Sequence, residues 1–292
     1  YDYAEVSQAP TPETWGSHDK PHSVPLVHGT PEAALRDVII IPFNCAERAI
    51  RILDEHAHEV ACVLLDLMPH RVGLNLVKPE YLEAIRKWVS AHNALLVLDE
   101  VITFRSEYGG LQTRFGIKPD LTALGKMIGG GFPVGAVAGR AEVMDVLNPN
   151  SHKFLFPHSG TFSANPISTS AGLAAMQLFD EKEIARLNKL TDRAIDGIER
   201  AIASTGVCAS VTGGGSMLRV HMKEEPPHNF REAFNTDAEK QRLTTLLDHL
   251  HHEGFLMINT CTASLSTPMT EEEIDALVAA MESGFAKIAS MP

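Results

Sequence analysis

Ala94-Leu95-Leu96-Val97-Leu98-Asp99-Glu100-Val101 is the stretch that decides the fold. An unbroken apolar run that ends abruptly in two carboxylates suits a strand buried within a sheet, with its carboxyl end opening on a polar site. Similar short runs stand at 38–41, ending at Pro42, and at 60–65, 121–124 and 134–138. Amphipathic segments lie between them. Residues 46–58 carry Ile50 and Leu53 on one side, and Pro79 opens a helix with Leu82, Ile85 and Val89 at helical spacing, a place proline suits. Another helix is expected over about 166–180. Strands alternating with helices predict an α/β large domain over 1–180, built on a mainly parallel sheet covered on both faces.

The pattern changes near residue 181. A long amphipathic helix is expected over 183–204, with Ile184, Leu187, Ala194, Ile198 and Ile202 on its stripe. Gly213-Gly214-Gly215 reads as a turn before the strand Met217-Leu218-Arg219-Val220-His221-Met222, and helices follow at about 237–253 and 271–288. Residues 181–292 are therefore expected to form a smaller C-terminal α+β domain. No internal repeat and no low-complexity linker interrupts the chain.

Composition narrows the function. The 292 residues hold 25 Lys plus Arg against 37 Asp plus Glu, a formal net charge of −12. Such a surface repels phosphate backbones, so nucleic acid is not an expected partner. No apolar run approaches the roughly 20 residues of a spanning helix, and no membrane is expected. Cys45, Cys62, Cys208 and Cys261 are scattered, without a CxxC pair, so a reduced cytoplasmic chain is the expectation.

Ligands of open parallel sheets sit outside the carboxyl ends of the strands. Three features fall there: Asp99 after the 95–98 run, Lys126 after the 121–124 run, and His158-Ser159-Gly160-Thr161 before the 166–180 helix. Each has an ordinary reading, as a turn cap, a surface lysine and a helix N-cap. Together they describe something more particular. Lys126 stands among Ala123, Leu124, Met127 and Ile128; desolvation there lowers an amine pKa and frees it to form a Schiff base with a carbonyl. The glycines at 129–131 let backbone approach a flat ligand. A buried Asp99 calls for a cationic partner, which a protonated pyridine nitrogen supplies, and Val101 would lie against the ring. Thr161 and the amides near it suit a phosphate. An aldehyde, a ring nitrogen and a phosphate together specify pyridoxal 5′-phosphate.

These residues also carry a family likeness. Leu98-Asp99-Glu100-Val101-Ile102-Thr103-Phe104-Arg105, then Gly109-Gly110, then the run from Lys118 through Gly125-Lys126-Met127-Ile128-Gly129-Gly130-Gly131 to Gly135 resembles the core of class III, fold type I aminotransferases. The likeness is strongest to the glutamate-1-semialdehyde 2,1-aminomutase-like subgroup. His158-Ser159-Gly160-Thr161-Phe162-Ser163-Ala164-Asn165-Pro166 is similar to the family's second signature. The resemblance implies that Lys126 holds the cofactor as a Schiff base and shuttles the proton, and that Asp99 keeps the pyridine nitrogen protonated. It implies that Val101 packs on the ring and that Gly160 and Thr161 reach a phosphate, usually the neighbouring subunit's. A homodimer with shared active sites follows by implication. Tyr1-Asp2-Tyr3-Ala4 resembles the segment after the family's Tyr-His-Gly motif, so a longer N-terminal part is expected before it.

Departures bear on substrate. Asp66-Leu67-Met68-Pro69 stands where the family usually ends a strand in Glu-Pro, and the usual glycine between Thr103 and Phe104 is absent. Cys261 replaces a glutamate of the true aminomutases, and no arginine occurs after Arg242. Arg71 either anchors a substrate carboxylate or pairs with a surface acid. The expected activity is amino transfer between an amino acid or amine and a keto acid or aldehyde. The alternatives are an aminomutase-type isomerase and an incomplete or non-catalytic chain. His56, His58, His249, His251 and His252 read as solvated helix positions rather than metal ligands, and Cys261 has no support as a nucleophile.

Overall fold

The structure is a computed structural model that describes residues 2–151, 153 and 155–289; of the N-terminal motif, Tyr1 lies outside the described residues. Four strands form the first sheet in the order β1-β2-β3-β4: β1 Cys62–Leu65, β2 Leu95–Asp99, β3 Leu121–Gly125 and β4 Gly135–Gly139. β1, β2 and β3 run parallel, and β4 returns antiparallel to β3. The helix Pro79–Ala91 starts at its proline and buries Tyr81, Leu82, Ile85, Trp88 and Val89. These side chains share one core with Leu96 and Leu98 of β2 and with Ala49 and Leu53 of the helix Ala46–Glu55. Trp88 Nε1 donates to Asp54 Oδ1 at 2.7 Å, fastening the two helices together. Asp120 pins the start of β3, where its carboxylate accepts from Leu96 N at 2.8 Å, Arg86 at 3.1 Å and Arg140 at 2.7 Å.

Two expectations fail here. Residues 38–41 form no strand, because no other segment among the described residues pairs with them and Pro42 lacks an N–H to donate. Cover on both faces is incomplete among the described residues: Leu64 on β1 is 61% exposed, and β4 is exposed throughout.

A second core forms around the helix Glu181–Thr205, which is capped by Asp180 and ended at Gly206 in the left-handed region. The helix packs on an antiparallel sheet of β5 Ser210–Gly214, β6 Met217–His221 and β7 Thr262–Ser264, and on the helices Asp237–His252 and Glu271–Ala289. Leu187, Ile198, Leu218, Leu246 and Phe285 are fully buried at the centre of this core. Gly213 and Gly214 belong to β5 rather than to a turn; the reversal falls at Gly215 and Ser216, and both sit in the left-handed region. His249 is not solvated. It is buried, with Nε2 2.7 Å from Ser283 Oγ and Nδ1 2.7 Å from Lys287 Nζ. His56 lies just past the end of its helix. No cluster of three metal-ligating side chains occurs among the described residues, and no helix there is long and apolar enough to cross a membrane.

Polar contacts lock the two cores together. Arg105 Nε donates to Ser216 Oγ at 2.8 Å and its Nη2 to the Leu265 carbonyl, while Asn188 Nδ2 donates to Ser106 O at 3.0 Å. His221 Nε2 lies 2.8 Å from Thr212 Oγ1 and 3.3 Å from Gly73 O. Burial, then the nearby Arg219, pushes the His221 imidazole down to about 3. Asp66, just past β1, moves the other way, to about 7: burial dominates, the Met68 N–H offsets part of it, and the charges of Asp99 and Glu100 add to it.

The two shifts set opposite pH dependences. His221 contributes stability that is present above its unfolded value of about 6.5 and is lost as pH falls toward 3. Asp66 contributes stability that is present below about 3.8 and is lost as pH rises through 7. Denaturant midpoints followed from pH 4 to pH 8 are expected to fall less on the acid side in His221→Gln and less on the alkaline side in Asp66→Asn. Each difference should amount to about 1–4 kcal/mol. Parallel curves for wild type and either variant would refute that group's assignment.

Candidate active site

The site is built on the carboxyl ends of β1, β2 and β3. The register pairs Leu65 with Leu98 and Asp99 with Ala123, so Asp66, Asp99, Glu100 and the Gly125-Lys126 corner converge at one end of the sheet. Glu100 is completely buried. Its carboxylate accepts from Leu111 N at 2.9 Å, Gln112 N at 2.7 Å and Thr103 Oγ1 at 3.1 Å. Burial pushes its pKa up, against those donors. Asp99 is half-buried; one oxygen accepts from Val101 N at 3.0 Å, and no ion pair among the described residues engages it. Three carboxyl groups therefore gather at the sheet end, and no cation among the described residues pairs with Asp99.

Lys126 stands in the left-handed region at φ +51°, directly after β3. A non-glycine residue held there costs about 1–3 kcal/mol, a strain that recurs at functional positions. The turn that follows is pressed onto the helix Pro166–Leu178. A Cβ on Gly130 would lie 2.3 Å from Ala171 O, and one on Gly172 would lie 2.1 Å from Ile128 O. Only glycines allow this approach, and it fixes the lysine's backbone. Val101 packs beside Gly125, its Cγ1 at ordinary contact distance, 3.4 Å, from where a Cβ there would stand.

Lys126, Val101 and Ile102 line a cavity of about 1180 Å³ whose walls are mainly apolar, with Leu74, Phe132, Met217 and Leu256 among them. Its amine takes part in no ion pair among the described residues. His70, Arg105, Thr262, Ser264 and Glu273 are the polar side chains on the lining.

The structure thus brings Lys126 and Val101 to one cavity, with Asp99 off its lining at the neighbouring strand end and bonded to Val101 N, and sets the other expected residues apart. Gly160 and Thr161 lie in an exposed loop and do not line the cavity. Thr161 is not the N-cap of the helix Pro166–Leu178; Asn165 is, accepting from Ile167 N at 2.8 Å. Arg71 is exposed and off the lining, while its neighbour His70 is on it. Cys261 is wholly buried, with its thiol pushed up to about 12 by burial.

Sequence reasoning missed His70 and Arg219. Nothing in their local sequence marks them, because they meet only through the fold, where Arg219 Nη1 donates to His70 O at 2.7 Å. Glu100 stood beside Asp99 at the strand end, and its place two residues after an inward Leu98 was the available signal of its burial.

Residues 17–283 match the family described as aminotransferase class-III. A glutamate-1-semialdehyde 2,1-aminomutase of Desulforudis audaxviator is 35% identical over 266 residues, covering 90% of this chain and 60% of that protein. The chain therefore spans about 60% of the length of that curated relative. Among solved structures, an omega-transaminase from Sphaerobacter thermophilus superposes with a TM-score of 0.95 at 38% identity, covering 100% of this chain and 66% of that one. A transaminase with PLP bound gives 0.88 at 32% identity, covering 99% and 65%. That transaminase holds pyridoxal 5′-phosphate, and the residues present here fit the same cofactor: an amine outside any ion pair among the described residues at Lys126, a carboxylate lacking a cation there at Asp99, and an apolar face at Val101. By sequence and by fold, the chain belongs to the class III aminotransferases.

Proposed function

We propose that the protein is an aminotransferase that moves an amino group between an amino acid or amine and a keto acid or aldehyde. The observation that carries this reading is the pairing of a strained lysine on the cavity wall with a half-buried aspartate that lacks a cation at the neighbouring strand end. Lys126 would hold the cofactor covalently and, once released, take the proton from the substrate carbon that bears the amine and return it to the cofactor carbon. Asp99 would hold a proton on the ring nitrogen, and Val101 would pack on the ring. Bound pyridoxal phosphate supplies an electron sink for charge developing at the amine-bearing carbon. The exposed loop with Gly160 and Thr161 suits contact with a phosphate in a second copy. Exposed apolar groups such as Phe162 and Leu173 near it support a homodimer with shared sites.

A second reading, an aminomutase that returns the amine to the neighbouring carbon, is favoured by the name of the Desulforudis relative. The apolar cavity wall supports transfer from a donor with an apolar side chain instead.

Incubating the pyridoxamine form with an amino-aldehyde, without keto acid, separates the two. Accumulation of the cofactor's aldehyde form is expected, and net isomerisation would sink the transaminase reading. Lys126→Ala is expected to abolish the near-visible absorbance of the lysine-bound cofactor and to lower turnover by about 10²–10⁴-fold. Asp99→Asn should keep some cofactor yet lose most turnover; rates like the wild type would refute the ring-nitrogen role.

A further inference from the structure

Arg219 on β6 is a buried cation without a counter-charge. It is 6% exposed, donates to His70 O, and leaves Nε with no partner among the described residues. No acid forms an ion pair with it there. Burying a charge unpaired is expensive, so such a group marks a place where an anion is expected to arrive.

His70, whose carbonyl takes this guanidinium's hydrogen bond, lines the same cavity as Lys126. Its Nε2 lies 3.3 Å from Thr260 Oγ1 and 3.4 Å from Thr262 Oγ1. Either hydroxyl can donate to Nε2, an arrangement compatible with a ring proton on Nδ1, and Nδ1 has no hydrogen-bond partner among the described residues. Burial, and then Arg219, Arg71 and Lys126, all push this imidazole down, so the charges felt at the corner are positive. The other two charged groups on the lining besides Lys126 are already engaged. Arg105 is held by Ser216 and Leu265 O, and Glu273 accepts from Thr270 N. Beside the corner the wall is apolar, with Leu74, Met217 and Ile258.

We propose that the His70 corner is a carboxylate subsite: His70 Nδ1–H donates to a substrate carboxylate oxygen, the Thr260 and Thr262 hydroxyls hold Nε2, and Arg219 supplies the charge behind it. The proposal rests on the aminotransferase reading and narrows it. The donor is an amino acid whose amine reaches Lys126, whose carboxylate reaches His70 and whose remaining part is apolar, rather than a plain amine. Arg219 and His70, not the exposed Arg71, are then the residues that recognise the acid.

Calorimetry on the holoenzyme tests this with 3-phenylpropanoate, which has no amine to react, against 3-phenylpropan-1-ol, which has no charge. Wild type is expected to prefer the carboxylate by about tenfold or more. His70→Leu and Arg219→Met should each weaken carboxylate binding about tenfold to a hundredfold while leaving the alcohol unchanged, and Arg219→Lys should restore part of the loss. His70→Leu lies on the cavity surface and serves if Arg219→Met fails to fold. Equal binding of the two probes by wild type, or variants that bind the carboxylate as wild type does, would overturn the subsite. Amine half-reactions report separately. Absorbance changes with plain amines, without any carboxylate preference, would reject the subsite alone; a preserved preference with no half-reaction from any donor would reject the transferase reading alone.

Discussion

The geometry of the site turns on Glu100. A carboxylate sealed from water costs several kcal/mol unless its lone pairs are filled, and here two backbone N–H groups and a hydroxyl fill them. Those bonds fold residues 101–112 around the carboxylate so closely that a Cβ on Gly110 would lie 3.0 Å from both of its oxygens. Asp99 on one side and Val101 on the other are thereby fixed. Arg105, further along the same segment, reaches Ser216 and Leu265 and ties the sheet end to the second core. One buried acid thus sets the floor of the site and joins its two walls.

Around Lys126 the charges are divided. Asp66, Asp99 and Glu100 gather at the sheet end, close enough that Asp66 feels both of the others. The His70 imidazole, on the cavity lining, feels instead the positive charges of Arg219, Arg71 and Lys126. A ligand with a positive ring nitrogen at one end and a carboxylate at the other matches this division, and the apolar wall accommodates what lies between. The acid-rich end draws most of its definition from strand register, which sets neighbouring strand ends side by side whatever the side chains do. The basic corner depends instead on the packing of the second core against the first.

That difference explains how much was legible in the sequence. Apolar runs and helical spacing revealed β1 to β4 and the main helices, because burial imposes those periods locally. Lys126 and Asp99 were legible for the same reason, since strand ends follow once strands are placed. Residues 38–41 look like a strand but need a neighbour to pair with, which no local pattern reports. β7 is three residues, Thr262–Ser264, too short and polar to stand out. Gly213 and Gly214 read as a turn although β6 captures them into a ladder, and His249 reads as solvated until Ser283 and Lys287 close over it. His70 and Arg219 are 149 positions apart, and their meeting belongs to tertiary structure alone.

The most direct measurement locates the cofactor on the chain. Borohydride reduction of the holoenzyme, followed by proteolysis and mass spectrometry, fixes the cofactor to the amine that holds it. The expected result is a single modified peptide with the added mass on Lys126. Modification at Lys223, Lys287 or any other lysine, with Lys126 unmodified, would contradict the site described for this fold.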